Sequence, residues 1–240
     1  MGSVSVLGFG AFVGVSLWVG SRLLLLARRT RQIPELAIGT ALLLGGAGYC
    51  GITAAFRLHL VPDALLAPAF ACSMALLEVG VIALVFGVWK VFRPGARWAA
   101  ALLGAGVVVL AVSYVAALLG FRPDGARSPF VFWSFNVIGA SAYAWSAFEC
   151  FRYTAVLRRR ARIGLVDPEL AHRFLLWALA GSAGASVFAA GMVGRLLLEG
   201  PHPGVQLAQS LSGLAAGVSL WLAFFPPEAY VRFVAGEAAA

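Results

Sequence analysis

Lysine is nearly absent from this chain, since Lys90 is the only one. A rhodopsin-type chromophore needs a lysine in the seventh helix for its Schiff base. Lys90 falls in a short gap between apolar runs, so that chemistry is excluded. Histidine is nearly as scarce. His59, His172 and His202 all lie outside the central parts of the apolar runs, which removes b-type haem ligation within the bilayer. Only His59 and His202 share a side, with Asp63 nearby, a thin donor set for the zinc of an intramembrane lipid hydrolase. The three cysteines, Cys50, Cys72 and Cys150, show no C-x-x-C spacing. They read as small packing residues rather than as a disulfide framework or a zinc site. No phosphate-cradling glycine loop, nucleophile elbow or internal repeat is present. The expectation is a non-enzymatic protein without cofactor or metal.

Charge is also thin, at 12% of residues against the roughly 25% usual in soluble domains. Hydrophobic residues fill the difference, at 61% with a mean hydropathy of +0.91 over 240 residues. They come in runs of about twenty, the length a helix needs to cross a hydrocarbon core of about 30 Å. The fold class is therefore all-α: a polytopic bundle of seven transmembrane helices in one domain, 1–240. The net charge of +8 does not indicate nucleic-acid binding, because the arginines sit in short gaps between apolar runs.

The spans read as 4–26, 33–56, 66–89, 98–120, 130–156, 174–198 and 205–225. Gly10-x-x-x-Gly14 in the first predicts close approach of another helix. The second opens on Ile33, Pro34 and Glu35 and has a glycine-dense centre. Asp167, Pro168 and Glu169 read as N-cap, N1 and N2 of the sixth helix, and the segment 200–204 reads as a tight turn before the seventh. The gaps after spans one, three and five, with the tail, hold twelve basic residues. The opposite gaps hold at most four: Arg57, Arg122, Arg127 and Arg195. The positive-inside rule then places the N-terminus outside and the C-terminus in the cytoplasm of a plasma (inner) membrane. Beyond Pro227, Tyr230, Phe233 and Val234 share one face, the pattern of a short interfacial helix.

Glu78 is the residue most expensive to place, costing at least about 2.5–3.5 kcal/mol at the midplane, so it should face the bundle interior. Its functional reading is a proton or cation site. The fifth span carries a polar stripe of Asn136, Tyr143 and Cys150, with Ser146 near the same face. That stripe suits either a helix seam or a cavity wall. Gln206, Gln209 and Ser210 add polar groups on the seventh span. Glu149 is expected to pair with Arg152, three residues on. Arg195 is expected to pair with Glu199 or to reach the headgroups. Arg158, Arg159, Arg160 and Arg162 form the densest charge block, suited to anionic headgroups or a cytoplasmic partner, with 163–166 as a hinge.

The stretches RTRQIPELAIGTALLLGGAGYCG, GLVDPELAHRFLLWALAG and WLAFFPPEAYVRFV resemble orphan bacterial seven-helix membrane proteins. Similar units form the membrane portions of bacterial sensor proteins. The odd span number, the outside N-terminus, the polar-lined interior and the lack of catalytic groups lead to the expectation of a receptor or sensor that detects an apolar or amphipathic ligand, or the membrane state, and signals through its cytoplasmic loops. The chain departs from the sensors in ending soon after span seven, so the expectation is a separate cytoplasmic partner. The resemblance carries no functional residues and no oligomeric state. The alternative expectation is a small carrier or channel using Glu78.

Overall fold

The computed structural model describes residues 3–121, 128–198, 202–230 and 232. These form helices α1 (Ser3–Thr30), α2 (Ile33–Thr40), a π-helix (Ala41–Tyr49), α3 (Cys50–Arg57), α4 (Leu66–Phe92), α5 (Arg97–Leu119), α6 (Pro129–Ala161), α7 (Pro168–Leu197) and α8 (Pro203–Phe224), with no strand among the described residues. Six helical segments are long and apolar enough to cross a membrane: Gly10–Thr30, Ile33–Phe56, Asp63–Phe92, Arg97–Leu119, Pro168–Leu197 and Pro203–Phe224. The chain is a multi-pass, all-helical membrane protein.

Helix α6 is the long helix missing from that set. At 33 residues it extends about 50 Å, ample for a bilayer, but its side chains are too polar. Several of those polar side chains face protein: Asn136, Glu149 and Thr154 are buried. Gly139 meets Phe188, Tyr143 lies over Gly184, and Ala147 meets Gly181, which fixes an antiparallel register with α7 over most of their lengths. Beside α4 it runs parallel, from the Val81, Leu110 and Ala142 cluster to the Phe92–Tyr153 ring contact at 5.9 Å.

Local chemistry explains the helix ends. Asp167 caps α7 by accepting a hydrogen bond from Glu169 N at 2.8 Å, with Pro168 in the first turn, as its sequence predicts. Ser128 accepts from Val131 N at the start of α6. His202 Nδ1 accepts from Gly204 N at 3.1 Å, so α8 begins at Pro203, two residues before the expected boundary. The hinge expected at 163–166 is a turn containing Gly164 at φ +73°, where Ile163 and Leu165 are each 70% exposed. Residues 199–201, including Glu199 and most of the expected tight turn, lie outside the described residues, as do Arg122, Arg127, Phe233 and Val234. Tyr230 is helical and meets His172 by hydrogen bond and ring contact.

The first half of the bundle is held by close backbone approach. A Cβ on Gly80 of α4 would lie 2.8 Å from both Cα and N of Gly45 in the π-helix. On the other side of that π-helix, Gly46 faces Ser16 of α1, whose Oγ would be 2.6 Å from an added Cβ. The close approach expected at Gly10 and Gly14 does not occur, because nothing stands within 4 Å of a Cβ at either position. Glycines permit contact but do not create it. Here α1 meets its neighbour through Gly20, where an added Cβ would lie 3.0 Å from Leu43 N.

Candidate functional site

Glu78 lies on α4, twelve residues from its start, and is 6% exposed. Its Oε1 is buried with no hydrogen-bond partner. Two contacts set the register of α4 against α5. The rings of Phe70 and Phe121 lie 5.2 Å apart, and Val81 shares a cluster with Leu110. Stepping back three residues from Val81 gives Glu78, and stepping on three from Leu110 gives Ser113. On α6, four residues back from Ile138, which packs on the same cluster, is Ser134. Ser113 is fully buried, and Ser134 Oγ donates to Ser113 Oγ at 2.9 Å. One turn above the apolar cluster, three helices thus place a carboxyl and two hydroxyls at one level. No hydrogen bond joins the carboxyl directly to either serine.

The π-helix passes this level on the far face of α4. Gly80 faces Gly45, and Gly48 is met by Leu76 with 3.0 Å from an added Cβ to Leu76 Cδ1. A nine-residue π-helix is unusual, since most are single-turn bulges, and such bulges gather at functional positions. Ser16 Oγ, against the opposite face of the π-helix at Gly46, is also buried without a partner.

The other sequence-derived candidates do not gather around Glu78. Asn136 stands two residues past Ser134, about 200° round α6, and faces α7. Its Nδ2 donates to Phe132 O at 2.8 Å, and its Oδ1 and Gln209 Nε2 flank the position of a Cβ on Gly191, at 3.4 and 3.3 Å. Gln209 Nε2 donates to Val187 O at 3.1 Å, which ties α8 to α7 beside Asn136. Tyr143 packs on Gly184 and Phe188. Ser146 lies one turn before the buried Cys150 on α6. Ser210 donates to Gln206 O at 2.8 Å on its own helix. A groove of about 350 Å³ between α6 and α7, lined by Ala140, Ser141, Ala144, Ala185, Ser186 and Ala189, contains none of them.

Glu149 keeps the expected pairing with Arg152 and adds a closer partner. Its Oε1 lies 2.7 Å from Arg93 Nε and accepts from Trp145 Nε1 at 3.3 Å, while Arg152 reaches Oε2 only at 3.9 Å. The principal partner is 56 residues away, at the α4–α5 turn, where helical spacing is blind to it. Arg195 lies 5.3 Å from the Phe132 ring centroid. Arg158, Arg159, Arg160 and Arg162 are all exposed around the end of α6. Among the described residues, no group of three histidine, cysteine, aspartate or glutamate side chains gathers as a metal cluster.

Ser113, Ser134 and Arg93 escape a sequence reading that looks along single helices. The available signal was the antiparallel register implied by the short α4–α5 turn, which sets Glu78 opposite Ser113. No family model, curated protein or solved structure matches the chain.

Proposed function

We propose that the chain is a seven-span protein of the plasma (inner) membrane, N-terminus outside and C-terminus cytoplasmic, acting as a small ion-coupled carrier or channel with Glu78 as its ion-handling group. The observation carrying this reading is the Glu78 carboxyl, buried in the bundle with one oxygen unsatisfied. An ionised carboxylate there is unfavourable by several kcal/mol unless a proton or cation neutralises it. Repeated neutralisation and release is what coupling requires. Support for α6 as the seventh span comes from its packing, parallel to α4 and antiparallel to α7, two helices apolar enough to cross.

The test is ion flux in proteoliposomes holding the purified protein and a pH-sensitive dye, under imposed proton and sodium gradients. Wild type is expected to carry ions, and Glu78→Gln, which keeps shape and removes the charge, to abolish the flux without changing thermal stability. Absent wild-type flux, or equal flux in the variant, overturns the reading.

A receptor or sensor with a cytoplasmic partner is the second reading, and the Arg93–Glu149 pair favours it. That pair ties the α4–α5 turn to α6 two to three turns before the exposed arginine block. A shift between α4 and α6 would reach that surface directly. Pulldown of a cytoplasmic protein that is lost on reversing the four arginines to glutamate supports it, and recovery of none removes it.

A further inference from the structure

We propose that Glu78, Ser113 and Ser134 together form a binding site for a small monovalent cation, sodium or lithium, a ligand assignment that rests on the ion-coupled reading of Glu78. The three residues come from α4, α5 and α6: Glu78 and Ser113 stand one turn from Val81 and Leu110, and Ser134 one turn from Ile138, which packs against the same cluster. Ser113 is fully buried, Glu78 nearly so, and the serine oxygens lie 2.9 Å apart. The donors are therefore all oxygen, with neither nitrogen nor sulfur among them, which suits hard cations.

Charge selects among those cations. One carboxylate balances one monovalent ion, whereas a divalent ion would leave a net positive charge within the hydrocarbon region, where it is costly. The hydroxyls have lone pairs to give. Ser134 Oγ also lies 2.8 Å from the Phe130 carbonyl oxygen, which can take its only hydrogen in place of Ser113 Oγ and leave a lone pair on Ser134 Oγ for an ion. A proton needs only the carboxyl; the two serines facing the same level are what a metal ion adds. Ser113 is six residues from the end of α5, about 9 Å, so the level is close to one mouth of the bundle.

The experiment measures retention of radioactive ²²Na⁺ by the intact purified protein in detergent, with lithium and potassium as competitors. Wild type retains sodium, lithium competes and potassium does not. Glu78→Gln abolishes retention, Ser113→Ala and Ser134→Ala each weaken it about tenfold, and Ser134→Thr, which keeps a hydroxyl, restores it. Each variant is compared with wild type by thermal unfolding without sodium, which separates lost ligation from lost fold. Sodium retention unaffected by either serine substitution overturns the assignment. Flux that depends on Glu78 in a protein retaining no sodium also overturns it, in favour of a proton alone, and leaves the ion-coupled reading standing. Absent flux sinks that reading instead.

Discussion

Removing Arg93 strands Glu149, whose side chain is 5% exposed, with only Trp145 Nε1 at 3.3 Å and Arg152 at 3.9 Å. Removing Glu149 strands Arg93, but that side chain is already 30% exposed and can reach headgroups or water. The two losses are therefore unequal. Arg93→Leu should cost about 3 kcal/mol, at the lower end for breaking a buried pair, and lower the unfolding midpoint by roughly 6–12 °C. Glu149→Gln should cost about 1 kcal/mol, since the amide oxygen can still accept from Trp145. The double variant should be more stable than the sum of the two losses predicts, read from tryptophan-fluorescence melts. Strict additivity would show that the pair does not couple. Residue identity made Glu149 and Glu78 visible in the sequence as acids that the bilayer tolerates only with help. The partner of Glu149 was less visible, because Arg93 lies across the bundle, and Ser113 and Ser134, at the level of Glu78, are ordinary serines until the helices are set side by side.

Helix limits were legible because bilayer thickness and end chemistry both mark the chain. Asp167 and Pro168 open α7 where expected, and Pro226–Pro227 come just after α8, past the single residue Phe225. The internal form of the second span was not legible. Its glycines at 45, 46 and 48 stood out, but hydropathy is the same whether the backbone bonds at i+4 or i+5, so the π-helix left no trace in it. Small residues also misled where they were read as contacts, since Gly10 and Gly14 face open space while Gly80 meets backbone. The contrast is measurable. Gly80→Ala pushes a methyl to 2.8 Å from Gly45 Cα and N, which cannot rotate away, and should cost about 1–3 kcal/mol. Gly10→Ala should stay within about 0.5 kcal/mol of wild type, because its Cβ meets nothing within 4 Å. Comparison of the two melts decides this, and equal midpoints would mean that the α4–π-helix approach is looser than described.

For the whole molecule, α6 decides the topology. Apolarity alone finds six spans, and if α6 stayed on one surface the turn at 163–166 would lie on the same side as the turn after α3. If α6 crosses, the two turns lie on opposite sides. The packing argues for crossing. A helix whose polar side chains are used against α4, α7 and Arg93 presents a mixed sequence while offering lipid Val137, Phe148 and Phe151, which are exposed. Hydropathy averaged along the helix mixes both faces, and so it understates α6. Leu60 and Ile163, 69% and 70% exposed, report the two turns. With Cys72, the exposed native thiol, replaced by alanine, Leu60→Cys should react with a membrane-impermeant maleimide in intact cells. Ile163→Cys should react only after the membrane is opened, as the arginines flanking it require of a cytoplasmic loop. Labelling of both positions in intact cells would leave six spans and remove α6 from the membrane. Labelling of Ile163→Cys alone would keep seven and reverse their orientation.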